Sequence, residues 1–122
     1  MPLRERAREM PSRRLLIVAP DDEVRQSLVF ALEAEGYDVA ALGQLPGPEW
    51  LSAHRQDCTI LDQRAVRPCD RDALAVFLAA APAVLLAHRP QPWLSERVRA
   101  TVDTPAREGA MLRAVEGALN GP

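Results

Sequence analysis

There is no lysine in this chain. All fifteen basic residues are arginine, so no side chain in it can supply an ammonium group as a compact point charge. Cysteine is nearly as scarce. Cys58 and Cys69 are too few for a disulfide framework, and their spacing matches neither a zinc pattern nor a CxxC pair. Cys58 lies in an apolar run and reads as core. No apolar stretch approaches membrane-spanning length, and no signal peptide is visible, so the expected compartment is the cytoplasm. The net charge of −2 gives no general reason to expect nucleic acid. No glycine-rich loop is placed to cradle a phosphate. The two histidines stand alone, and neither they nor the cysteines assemble a nucleophile–base pair, so an enzyme is not expected.

What is present is an ordinary globular composition, 48% hydrophobic and 26% charged. A chain of 122 residues is one domain by size and long enough to bury a core without staples. Residues 1–13 alternate Arg4, Arg6, Arg8 and Arg13 with Glu5 and Glu9 and read as a flexible leader, leaving 14–120 as the domain.

The domain is organised around Leu15 to Val39. Leu15-Leu16-Ile17-Val18 is a short apolar run of the kind that forms a strand covered on both faces. Ala19-Pro20-Asp21-Asp22 breaks it, and an aspartate after the proline suits a helix N-cap. Val24, Leu28, Ala31 and Leu32, with Val29 at the edge, fall at helical spacing. Gly36 then stands where a helix favours a left-handed residue, and Tyr37-Asp38-Val39 restarts an extended chain that runs to Leu42. Strand, helix and strand make one βαβ unit.

The same alternation continues. Gly43 to Pro48 is a turn-rich loop with no regular element expected in it. Glu49 to Arg55 predicts a short helix with Trp50, Leu51 and His54 inward. Asp57 to Asp62 is an apolar, β-branched strand that ends on a carboxylate. After a loop containing Pro68, Asp70 or Asp72 can cap a third helix running to about Ala80, with Leu74, Phe77 and Leu78 inward. Ala83 to Ala87 is the fourth strand, and Trp93 to Arg99 gives at most two helical turns. Ala100 to Val102 is a weak fifth strand, and Arg107 to Leu119 is the last helix, with Ala110, Met111, Ala114, Val115 and Leu119 as its stripe. The fold class is therefore α/β: a flavodoxin-like (βα)5 domain with a doubly wound, five-stranded parallel sheet in the order 2-1-3-4-5 and a shortened fourth helix. In that order ligands or chemistry sit beyond the carboxyl ends of strands 1 and 3, at Ala19 to Asp22 and at Asp62.

Four segments taken in order, IVAPDDEVRQSLVFALEAEGYDV, TILDQRAV, AVLLAH and VDTP, resemble the receiver domain of a two-component response regulator over roughly residues 13 to 119. The resemblance implies a phosphoacceptor aspartate at the end of strand 3, where Asp62 stands. It also implies an acid pair after strand 1 that holds a divalent metal, a Ser or Thr ending strand 4, and a lysine before a proline after strand 5. Each serves the dense negative charge of a transferring phosphoryl group. This sequence departs at all of those supporting positions. The acid pair falls on Ala19 and Pro20, the hydroxyl on Ala87 and the lysine on Thr104. Losing fixed positive charge there should cost on the order of 3 kcal/mol or more of transition-state stabilisation.

The resemblance thus implies a degenerate receiver, a pseudo-receiver, acting by phosphorylation-independent protein–protein interaction in bacterial signalling or transcription control. The partner is a protein of that pathway or a second copy meeting through the fourth-helix, strand-5 and last-helix region, with no cofactor, membrane or direct nucleic-acid contact. Two other classes stay open. One is a phosphoacceptor at Asp62, with Asp21 or Asp22 swung in to ligate Mg²⁺. The other is a small-molecule module at the switch point. The plainer role for Asp62 is to cap loop amides, and Arg64 or Arg89, in loops on the same face, can pair with it and lock one conformation. Trp50 and Trp93 read as core edge or, for the proline-flanked Trp93, as a partner anchor.

Overall fold

A computed structural model describes residues 12–105, 107 and 109–120. The leader expected over residues 1–13 lies almost wholly outside the described residues. Five parallel strands form one sheet in the order β2-β1-β3-β4-β5. They are β1 (Arg14–Val18), β2 (Asp38–Leu42), β3 (Cys58–Asp62), β4 (Ala83–Ala87) and β5 (Ala100–Asp103). The central three, β1, β3 and β4, are buried on both faces, as expected for the Leu15–Val18 run, and their alternation sorts the core into two layers. Leu15, Ile17, Cys58, Ile60, Val84 and Leu86 face one way and are covered by α1 (Asp22–Ala34) and the C-terminal helix α5 (Ala110–Asn120). Leu16, Val18, Leu61, Leu85 and Ala87 face the other, under α2 (Pro48–Ala53), α3 (Arg71–Ala80) and α4 (Pro92–Ser95). Both tryptophans pack on this second layer, while Tyr37 packs on the first.

Local chemistry sets the ends of α1. The Asp21 carboxylate accepts the Val24 amide at 3.0 Å as N-cap, and Asp22 and Glu23 sit in the first turn, at the positive end of the helix dipole. At the other end Gly36, at φ 94°, lets its own amide reach the Glu33 carbonyl at 2.9 Å and the Tyr37 amide reach the Leu32 carbonyl at 3.3 Å. That pair of bonds is a Schellman closure, and it needs a residue without a Cβ penalty at positive φ. The buried stripe is centred on Leu28 and Leu32, so Ala31, expected inside, falls past its edge and is exposed.

Other expectations are corrected in detail. A helix does begin at Pro48, because proline at the first helical position loses only an amide that would have no helical partner. His54 is not on a buried face. It ends α2 in solvent, its ring stacked on Trp50 at 4.2 Å and its Nδ1 2.9 Å from the Trp50 carbonyl. Asp70 precedes α3 without capping it, since its carboxylate accepts the Arg67 amide at 2.9 Å and closes a 3-10 turn at Pro68–Asp70. Arg107 lies before α5 rather than in it, and Gly109 at φ 79° leads into the helix. The fourth helix is reduced to the four residues of α4, whose Leu94 is fully buried.

Candidate functional site

Asp62 ends β3, where the sheet's winding reverses, and only 6% of it is exposed. A carboxylate this buried needs partners, and Arg64, two residues on, supplies them. Gln63–Ala65 form a 3-10 turn for which Asp62 is the N-cap. Its Oδ1 accepts the Arg64 amide at 2.9 Å. The turn brings the Arg64 side chain back over the same group. Nε donates to Oδ1 at 3.2 Å and to Oδ2 at 3.3 Å, and Nη2 donates to Oδ2 at 2.7 Å. Both oxygens are thus held by one guanidinium fork, the geometry that arginine offers and lysine does not. Hydrogen bonding and charge from Asp62, with a smaller contribution from Asp21, push the Arg64 guanidinium above its ordinary range.

Arginine also occupies the end of β1. From the first turns of α1, Arg25 donates Nη1 to the Ala19 carbonyl at 2.8 Å and to the Pro20 carbonyl at 3.4 Å, and its Nη2 pairs with Asp22. Asp21 is engaged as the helix cap. The Val24 amide, chiefly, holds its carboxyl below the usual carboxylate range, with Arg64 and Arg25 adding to the effect. The three acids therefore do not converge. Asp62 is held by Arg64, Asp22 by Arg25 and Asp21 by the α1 backbone. Among the described residues no three His, Cys, Asp or Glu side chains are gathered to hold a metal ion. A divalent cation seeks several carboxylate or carbonyl oxygens at once, and here each of the three carboxylates is engaged separately.

The remaining positions read from the sequence close the cleft. Ala87, at the end of β4, is buried and presents a methyl group. Thr104 follows β5 and is held through its backbone: its amide donates to the Ala87 carbonyl at 2.9 Å, and its carbonyl lies 2.8 Å from His88 Nδ1. Asp62, Arg64, Ala87, His88 and Thr104 thus line one cleft of about 360 Å³. Of the two arginines considered as partners for Asp62, Arg64 takes the role. Arg89 is exposed at φ 58°, and its carbonyl faces Gln63 Nε2 at 3.5 Å. Trp93 is a half-buried core edge, with the Arg71 guanidinium 5.6 Å from its ring centroid.

Three contributors were missed by sequence reasoning. Gln63 ties the 3-10 turn to the β4–α4 loop, its Oε1 accepting the Gln91 amide at 2.8 Å. His88 fixes the loop after β5. Neither carries a sequence signal, since both act across the sheet. Arg25 did carry one, the three-residue spacing from Asp22 on a helix.

No protein-family model and no curated protein matches the chain. Solved structures do. A response regulator receiver protein from Burkholderia phymatum superposes with a TM-score of 0.69 at 22% identity, covering 88% of this chain and 95% of its own. The chemotaxis response regulator CheY4 of Vibrio cholerae gives 0.68 at 17% identity over 89% of this chain and all of its own, 100%. A response regulator receiver modulated diguanylate cyclase from Pelobacter carbinolicus gives 0.68 at 22% identity, over 88% and 92% respectively. With the strand order and helix layers above, these similarities establish that the chain has the fold of a response-regulator receiver domain.

Proposed function

We propose that this chain is a receiver-fold module that works in bacterial signal transduction through protein–protein contact, without accepting a phosphoryl group. The observation that carries the reading is the Arg64 fork on Asp62. An attacking carboxylate needs a free oxygen and a metal-assisted field around the phosphoryl group. Here both oxygens are bound by a guanidinium on the next turn, and the supporting positions are Ala19, Pro20, Ala87 and Thr104. The pair holds the β3–α3 loop in one arrangement, which suits a module recognised in a fixed conformation. On this reading the chain is not an enzyme and needs no cofactor. Its partner is a protein of the same pathway or a second copy, and it works in the cytoplasm. No helix among the described residues is long and apolar enough to cross a membrane.

The test is intact mass after incubation with acetyl phosphate or phosphoramidate and Mg²⁺, with an Asp62→Asn control. No added mass is expected. One phosphoryl group on the wild type and none on the control would overturn the reading and make Asp62 a live acceptor.

A further inference from the structure

The loop after β3 and the start of α4 enclose a smaller groove, of about 280 Å³, lined by Gln63, Arg64, Val66, Pro68, Gln91 and Trp93. It shares only Gln63 and Arg64 with the Asp62 cleft and involves neither β5 nor α5. Val66, Pro68 and Trp93 give it an apolar lining, and three arginines stand around it. The bonds to Asp62 use Nε and Nη2 of Arg64 and leave Nη1 of a side chain that is 60% exposed. Arg71, exposed at the start of α3, holds its guanidinium 5.6 Å from the ring centroid of Trp93. Arg89 is exposed, and its carbonyl faces Gln63 Nε2 at 3.5 Å. Among the described residues neither Arg71 nor Arg89 makes an ion pair.

The acids nearby do not cancel this charge. Asp62 is buried beneath Arg64, and Asp70 is taken by Arg67, accepting its amide at 2.9 Å and lying 3.7 Å from its Nε. Asp72 follows Arg71 but points about 100° further round α3. The chain as a whole carries a net charge of −2, so a cluster of cations here is a local property and not a general one. The groove is also smaller than the usual site for a small molecule, and holds about one large side chain. We infer that it takes an acidic segment of a partner protein. One large apolar side chain of that segment seats against Val66, Pro68 and Trp93, and aspartates or glutamates on either side of it pair with Arg64 Nη1, Arg71 and Arg89. Guanidinium forks suit carboxylates, and tryptophan with arginine around a small pocket is the usual make-up of a binding hot spot.

The inference rests on the reading of this chain as an interaction module and names the chemistry of its partner. A phosphoryl group found on Asp62 would sink that reading, whereas the following titration decides the groove by itself. The full chain, labelled with nitrogen-15, is titrated with the acetylated heptapeptide Asp-Glu-Asp-Phe-Asp-Glu-Asp to about 2 mM, enough to detect even weak binding. The Trp93 indole and the Gln91 amide should shift, while the Trp50 indole, on α2, should not; Trp50→Phe tells the two indoles apart. Arg71→Glu and Arg89→Glu should each weaken binding about tenfold, the loss of one attraction and the gain of one repulsion. Arg55→Glu makes the same change in net charge at the opposite end of β3 and should leave binding as it was. Raising the salt from about 0.05 to 0.5 M should weaken it several-fold. The absence of a shift at Trp93 overturns the inference. So does binding that survives both reversals, or that Arg55→Glu weakens equally. A peptide with alanine at its centre that binds as well removes the apolar anchor and overturns it too, as does sodium acetate that moves the same signals, which would make the groove a small-anion site.

Discussion

The side-chain carbonyl of Gln63 accepts the main-chain amide of Gln91 at 2.8 Å, across 28 residues of chain. Its amide nitrogen faces the Arg89 carbonyl at 3.5 Å, a longer and weaker contact. One side chain therefore fastens the loop after β3 to the loop after β4 on both sides of Pro90. Gln63→Ala should lower the free energy of unfolding by about 1 kcal/mol, the usual net worth of such a bond. Urea denaturation measures the loss, and hydrogen exchange should show the Gln91 amide losing protection while the β3 amides keep theirs.

Removing the Arg64 fork leaves a carboxylate only 6% exposed with one amide donor. A fully buried pair broken on one side costs several kcal/mol. The Arg64 side chain, however, is 60% exposed, so water screens much of its attraction. Arg64→Gln should therefore destabilise by about 1–2 kcal/mol. Arg64→Gln combined with Asp62→Asn should recover part of that loss, because the buried charge goes with its partner. A double-mutant cycle in urea reads both outcomes.

The cap on α1 predicts an acid dependence. The folded-state carboxyl of Asp21 is held below its ordinary value of 3.8, chiefly by the Val24 amide. A depressed carboxyl contributes stability that is fully present above its unfolded value and is lost as pH falls through the folded one. Asp21→Asn keeps a capping oxygen but cannot titrate. The thermal midpoint of the wild type should exceed that of Asp21→Asn at pH 6, and the difference should shrink as the pH is taken below 3.8.

Cys58 predicts the opposite limb. Burial, above all, pushes its thiol from 9.0 up to about 11. A raised group contributes stability that is complete below its unfolded value and is lost as pH climbs through the folded one. Stability should fall between pH 9 and about 11, by on the order of 2 kcal/mol, and Cys58→Ala should flatten that decline. Tyr37, raised mainly by burial, acts in the same direction. In the native state a maleimide should label exposed Cys69 and spare Cys58, with both labelled in guanidinium; mass spectrometry counts the adducts.

Much of this arrangement is legible in local chemistry. Strand runs of four or five apolar residues, Asp21 before a helical stripe, and Gly36 after it give the βαβ unit, and the fivefold alternation of strand and helix gives the sheet order. The errors fall where a neighbour decides. Ala31 and Val29 both flank the α1 stripe, and only the lie of the helix on β1 and β2 settles which is covered. Asp70 has two amides within reach, and the 3-10 turn takes its carboxylate away from α3. In the site, the position of Asp62 and the missing lysine are plain from the sequence. Which arginine answers them is not, because it depends on a 3-10 turn that folds Arg64 back by two residues and on a loop that turns Arg89 outward.

The placement of the aromatic residues divides the molecule optically. Trp50 and Trp93 both pack on the layer built by α2, α3 and α4, and Tyr37 on the one built by α1 and α5. Tryptophan emission is therefore a reporter of one side of the sheet. Loosening of the α2–α4 layer, including any movement of the loop that Gln63 holds, will change it directly, whereas fraying of α1 or α5 will pass through it almost unseen and must be followed at Tyr37.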